Sequence, residues 1–213
     1  MPDNSIRNII FDLGNVLLDI DYSLTAQKLS AITGLDINRD LMERGEVFNK
    51  FETGKIPYIV FFNYLTRISR KKAVINDMLP AWNAMLLDIR PEIRALLERL
   101  SDKYRLYLLS NTNEVHLQWL DRYLADNWSK ETWYRKIFTK TYYSHLIGYR
   151  KPDVACFEFV LNDAGLLPGE TLFIDDVAEN IAGARSAGIQ AYRFDRSKWP
   201  LDRFLREKAG IPV

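Results

Sequence analysis

Four short runs along the chain are apolar at successive positions. They are Asn8-Ile9-Ile10-Phe11, Leu106-Tyr107-Leu108-Leu109, Thr171-Leu172-Phe173-Ile174 and Ile189-Gln190-Ala191-Tyr192. A strand covered on one face alternates apolar and polar residues, whereas a continuous apolar run is how a strand covered on both faces reads. Between these runs the pattern changes to helical spacing. Pro91 to Leu100 opens with proline, which suits a first helical turn, and then repeats Ile and Leu at three- and four-residue intervals. Val154 to Ala164 and Ala178 to Ala187 read the same way. Alternation of this kind predicts an α/β fold with a parallel sheet between two layers of helices.

From about Tyr22 to Asp88 the rhythm breaks, and the stretch reads as helix without a buried strand. Phe48, Phe51, Tyr58, Phe61, Phe62 and Leu65 recur at helical intervals, and Thr53-Gly54-Lys55-Ile56-Pro57 is a turn between two helices. The stripe is expected to be the core of a helical insertion after the first strand. The predicted organisation is therefore a core of residues 1–21 and 89–213 with a helical bundle at 22–88.

Composition narrows the possible functions. The 213 residues are 47% hydrophobic and 27% charged, as in an ordinary globular protein. Lys plus Arg number 29 and Asp plus Glu 28, a net charge of +1, so no global field favours nucleic acid or an acidic membrane. An anionic substrate would have to be held by local groups. The lone Cys156 excludes an internal disulfide, and its apolar surroundings predict a buried structural thiol. With only His116 and His145, a multi-histidine zinc site is not expected. There is no apolar run of membrane-spanning length, and Met-Pro-Asp-Asn-Ser at the start has neither the basic opening nor the apolar centre of a signal peptide. The expectation is a cytoplasmic protein, a monomer or homodimer, with no nucleic-acid or membrane partner.

Candidate chemistry lies at the ends of the apolar runs. Asp12 follows the first, Ser110 and Asn111 the second, Asp175 and Asp176 the third. Open parallel sheets bind ligands beyond the carboxyl ends of their strands, so these residues are expected to converge on one cleft. A single Asp in such a place reads equally as a helix cap, but three strand ends together favour a site. Adjacent carboxylates repel unless a cation or donors intervene. Asp12, Asp175 and Asp176 offer the oxygen ligands that Mg²⁺ prefers. Lys151, held out of helix by Pro152, is a candidate active-site ammonium.

With these segments in order, the chain resembles the haloacid dehalogenase-like hydrolase superfamily. Phe11-Asp12-Leu13-Gly14-Asn15-Val16-Leu17 looks like the motif carrying a nucleophilic aspartate. Leu108-Leu109-Ser110-Asn111-Thr112-Asn113 looks like the motif whose hydroxyl holds the phosphoryl group, Arg150-Lys151-Pro152 like the lysine motif, and Phe173 to Asn180 like the metal-binding motif. The helical insertion matches the family's first type of cap. The detailed match is to sugar-phosphate phosphatases acting on α-D-glucose 1-phosphate and related substrates.

The resemblance implies a Rossmann-like core and a Mg²⁺-dependent phosphomonoester hydrolase. Asp12 would form an aspartyl-phosphate, with Ser110 and Lys151 as catalytic partners. Asp12, the Gly14 carbonyl, Asp176 and Asp175 would hold the metal, and Asn180 would steady that turn. Asn111, Glu52 and Lys55 would contact the substrate, the last two from a turn that dips over the site in relatives. One departure stands out: Gly14 occupies the position where most phosphatases of the family carry a second, acid–base aspartate. Asp19, Asp21 and Glu52 are candidate replacements. Gly14 also keeps two other readings open, a 2-haloacid dehalogenase and a weakly active sugar-phosphate-binding regulator.

Overall fold

The structure is a computed structural model and describes residues 6–37 and 45–213. Five parallel strands, β1 (Asn8–Phe11), β2 (Arg105–Ser110), β3 (Phe138–Tyr143), β4 (Thr171–Asp175) and β5 (Gln190–Arg193), form one sheet in the order β3-β2-β1-β4-β5. The first strand is central, with Phe11 in register with Leu108 on one side and Ile174 on the other. The three strands bearing candidate site residues are thus neighbours that end at the same level.

Side chains alternate across this sheet, and both faces are covered. Ile9, Phe11, Leu106, Leu108, Leu172 and Ile174 point to one face. There they meet α5 (Pro91–Ser101), α6 (Glu114–Asn127) and α10 (Leu201–Glu207). Ile10, Tyr107, Leu109 and Phe173 point to the other face, against α8 (Val154–Ala164) and α9 (Ala178–Ser186). This is the three-layer α/β/α arrangement that the uninterrupted apolar runs predict. Cys156 is fully buried in the second layer, and burial pushes its thiol up to about 12, which makes it an inert packing group.

Strand β3 is absent from the sequence reading. Its centre, Thr139-Lys140-Thr141, is polar, because β3 is the sheet's edge and much of it faces solvent. A lysine on an edge strand discourages pairing with another chain, which is why the apolar signal is missing there.

The insertion is helical throughout its described part: α1 (Tyr22–Thr33), α2 (Glu46–Glu52), α3 (Tyr58–Ile68) and α4 (Ile75–Trp82), followed by a short 3₁₀ turn. Residues 38–44 lie outside the description. Phe51, Phe61, Phe62, Leu65 and Trp82 form a separate apolar cluster, with the Phe51 and Phe61 rings stacked 4.5 Å apart. Most of the aromatic stripe is therefore packing, while Phe48 packs beside it and faces the cavity below the insertion. The chain enters and leaves these helices through a two-strand neck, where the Asp21 amide donates to the Met85 carbonyl and the Asp19 amide to the Asp88 carbonyl, each at 2.9 Å. Among the described residues no helix is long and apolar enough to cross a membrane.

Candidate active site

Beyond the strand ends lies a cavity of about 450 Å³ between the sheet and the inserted helices. Asp12, Gly14, Ser110, Asn111, Lys151 and Asp176 line its floor. At its centre the Lys151 side chain, 1% exposed, donates to Asp12 Oδ1 at 2.5 Å, Asp175 Oδ2 at 2.7 Å and the Leu109 carbonyl at 2.8 Å. All three ammonium hydrogens are used, so the lysine is fixed as well as charged. Burial alone would lower its pKa, but Asp12 and Asp175 outweigh that and hold it well above the ordinary lysine value.

Two carboxamides brace the centre. Asn111 donates to the Lys151 carbonyl at 2.8 Å and accepts from the Lys151 amide at 2.9 Å, so its side chain clamps the lysine backbone. Asn180 donates to both oxygens of Asp175, at 3.1 and 3.0 Å, and the Val177 amide adds a third bond to Asp175 at 2.8 Å. Asp175, fully buried, is thereby largely committed to protein donors.

Asp12 is the more strained carboxylate. Burial pushes its pKa up to about 7, with Asp175 and Asp176 adding repulsion and Lys151 opposing. Asp176 is raised as well, by burial and by Asp175. Three carboxylates face one ammonium, and each offers an oxygen within 4.8 Å of the others. Two negative charges are left uncompensated when all ionise, the amount a divalent cation offsets. Among the described residues no hydrogen bond is made to Asp12 Oδ2. An all-oxygen donor set with excess negative charge fits a hard cation such as Mg²⁺.

Gly14 lies against the neck. A Cβ built on it would come 2.7 Å from Ile20 Cδ1 and 3.9 Å from Asp12 Oδ2. The place of a second aspartate is thus taken by the tip of a flexible isoleucine. Of the three carboxylates weighed as replacements, only Glu52 lines the cavity. Asp21 caps α1 by accepting from Ser23, and Asp19 pairs with Arg90 at 3.5 Å and Arg196 at 3.1 Å.

The cavity walls come largely from the insertion. Ile20, Phe48, Trp82 and Met85 make an apolar side, and Glu52, the last residue of α2, sits 2.8 Å from Arg150 Nη2. Arg150 also donates to Asn49 at 3.0 Å, so the residue before Lys151 ties α2 to the sheet. Lys55 is not brought to the cavity. Its amide donates back to the Lys50 carbonyl at 2.8 Å, and Gly54 packs so tightly on His145 that a Cβ there would lie 2.1 Å from that carbonyl. Through Gly54 the turn packs on α7 (Ser144–Ile147).

His116 and Arg150 line the cavity without having been singled out by the sequence reading. His116 follows a helix cap, where Asn113 accepts from its amide, and burial lowers its imidazole to about 4. It is a neutral wall group at physiological pH. Arg150 carried one signal, its place beside Lys151, but its partner lies 98 positions away in the chain.

Residues 6–188 match the sequence profile of a haloacid dehalogenase-like hydrolase. The chain is 27% identical over 191 residues to a D-ribitol-5-phosphate phosphatase of Bacteroides thetaiotaomicron, covering 88% of this chain and 91% of that protein. A predicted HAD-like family hydrolase from Porphyromonas gingivalis superposes with a TM-score of 0.83 at 32% identity, over 95% of this chain and 99% of that one. A HAD family enzyme of B. thetaiotaomicron, solved in complex with magnesium and inorganic phosphate, gives 0.77 at 32% identity over 91% and 98%. A match across most of the chain, on a fold whose strand ends carry the corresponding carboxylates, establishes that this chain belongs to the haloacid dehalogenase-like hydrolase family.

Proposed function

We propose that the protein is a phosphomonoester hydrolase that moves the phosphoryl group of a small sugar or sugar-alcohol phosphate onto Asp12. The observation carrying this reading is the buried Lys151, fixed between Asp12 and Asp175 beside Asp176 at the floor of the cavity. The similarity to a D-ribitol-5-phosphate phosphatase supports the substrate class. In this reading residues 22–88 are a cap and residues 1–21 and 89–213 the catalytic core. In the same reading the protein works in the cytoplasm as a monomer or homodimer.

The chemistry follows from the residues. A carboxylate oxygen of Asp12 attacks phosphorus, an O–P bond forms, and the ester P–O bond breaks as the leaving oxygen takes up a proton from water. Water then attacks the aspartyl-phosphate, releasing inorganic phosphate and restoring Asp12. Ser110 and the backbone amides after it donate to the non-bridging oxygens, and Lys151 offsets their charge. Asp12, Asp176 and the Gly14 carbonyl would hold Mg²⁺, with Asp175 behind them. When bound, the ion neutralises charge between phosphate and carboxylate. Glu52 and Arg150 meet hydroxyls of the leaving group.

The direct test is phosphate release from a panel including D-ribitol 5-phosphate, α-D-glucose 1-phosphate and p-nitrophenyl phosphate, with Mg²⁺ and with a chelator. Turnover that disappears with chelator is expected. Halide release from 2-haloacids, or binding of the phosphates without turnover, would sink the reading.

Two variants separate the roles of the walls. Glu52→Gln is expected to lower kcat/KM for ribitol 5-phosphate by roughly tenfold to a hundredfold, the loss of a hydrogen bond to a charged group. p-Nitrophenyl phosphate has no hydroxyls to lose and should change little. An equal fall for both esters would remove Glu52 from substrate recognition. Gly14→Asp alone must push Ile20 aside. Combined with Ile20→Ala it is expected to raise kcat by about tenfold or more, part of the 10²–10⁴ that acid–base help supplies. The gain should be largest for the alkyl ester, whose leaving oxygen most needs a proton. No gain in the double variant would mean that another group already supplies that proton.

A further inference from the structure

We propose that Asn15 and Arg196 form a positioning relay that fixes the orientation of Asp176 for the metal ion. The inference rests on the reading of Asp176 as a metal ligand. Asn15 has φ of 56°, the left-handed region, which asparagine tolerates better than other residues bearing a Cβ. Its backbone is held there by a bond from its amide to the Leu18 carbonyl at 2.8 Å. From that position its Nδ2 donates to Asp176 Oδ2 at 3.2 Å, and its Oδ1 accepts from Arg196 Nη1 at 3.1 Å.

A carboxamide can face a neighbour with either end, and the wrong end here would set an oxygen against a carboxylate oxygen. Arg196 settles the choice because a guanidinium only donates. It must face Oδ1, and Nδ2 is thereby turned to Asp176. Arg196 is itself steered by Asp19 Oδ1 at 3.1 Å, and Asp19 by Arg90 at 3.5 Å. Asp19 thus has an ion-pairing task outside the cavity. Arg193 Nε holds the Asp176 carbonyl at 3.0 Å, which fixes the backbone, while the relay fixes the side chain. One oxygen of Asp176 is engaged by Asn15, and the other is left for a cation.

The relay predicts a loss of metal affinity without a loss of fold. Outer partners of metal ligands are worth typically 10–100-fold in affinity. Mg²⁺ binding is measured by calorimetry on the full chain for wild type, Asn15→Gly, Arg196→Ala, Arg196→Lys and Asp176→Ala. Asn15→Gly keeps the left-handed backbone and removes only the carboxamide. It and Arg196→Ala are expected to weaken Mg²⁺ by about tenfold or more. Arg196→Lys, which restores a donor, should recover most of that loss, and melting temperatures without Mg²⁺ should stay close to wild type. Asn15→Gly binding Mg²⁺ within about twofold of wild type, while Asp176→Ala does not bind it, overturns the relay alone. Arg196→Ala binding like wild type overturns the part assigned to Arg196. Undiminished binding by Asp176→Ala overturns the metal-site reading and the relay with it.

Discussion

Asp12→Asn is expected to abolish phosphate release and, without Mg²⁺, to make the protein more stable. Deleting a nucleophile that works as part of a unit costs roughly 10⁴–10⁶ in kcat, and asparagine offers no carboxylate oxygen for the attack. The stability change has its own cause. Burial, with Asp175 and Asp176, raises the Asp12 pKa from 3.8 to about 7 in the folded protein. Between those values the native state binds the proton more tightly than the unfolded chain does. Ionising Asp12 therefore costs stability progressively as pH rises through that window, and the full cost is present above it. Asparagine removes the cost. The ceiling is about 4 kcal/mol at 1.4 kcal/mol per unit, a figure already net of the attraction to Lys151. Thermal melts with chelator at pH 8 and pH 4 test this: the variant should melt several degrees higher at pH 8, with the gap closing near pH 4. Wild-type phosphate release by the variant would end the nucleophile assignment, and a lower melting temperature at pH 8 would end the electrostatic account.

Lys151→Met is expected to have the opposite sign in stability and the same sign in activity. The ammonium is the only cation touching Asp12 and Asp175 among the described residues, and it is buried. Removing one side of a buried ion pair costs about 3–5 kcal/mol because the partner charges stay behind. For a chain of this size that corresponds to a fall of roughly 10 °C in melting temperature. The loss should deepen as pH rises, because the abandoned carboxylates are tolerable only while protonated. Adding Asp12→Asn to Lys151→Met should recover part of it, since one abandoned charge disappears. Circular-dichroism melts of the single and double variants at pH 5 and pH 8 check the sign. A Lys151→Met protein as stable as wild type at pH 8 would mean that the lysine does not balance these carboxylates. Phosphate release should fall in both variants.

The floor of the site was readable because it follows from the fold class. Strands buried on both faces announce themselves as Ile9-Ile10-Phe11 and Leu172-Phe173-Ile174, and a parallel sheet brings the residues after them to one edge. Asp12, Ser110, Asp175 and Asp176 could be named on that basis, and Lys151 from the turn that Pro152 sets. The departure at Gly14 was equally visible, because it is a matter of residue type at a fixed spacing.

What tertiary structure decided lies where contacts are long-range and the pattern is weak. Strand β3 is at the sheet edge, so Thr139-Lys140-Thr141 carries no apolar signal. Glu52 and Lys55 sit three residues apart at one turn, yet the first ends a helix facing the cavity and the second bends back to Lys50. Nothing in residue type separates them; the packing of Gly54 on His145 does. Asn111 resembles a ligand-binding amide, and its side chain also clamps the Lys151 backbone, which residue type does not reveal. The pairing of Arg150 with Glu52, and of Arg196 with Asn15, spans 98 and 181 positions. The sequence by itself determined the layers, the strand ends where the site gathers and the kinds of charge found there, because periodicity and residue chemistry are local. Which charges are clamped, which face the cavity and which oxygen of Asp176 is left open were decided only by folding, because each depends on a partner that chain order does not bring near.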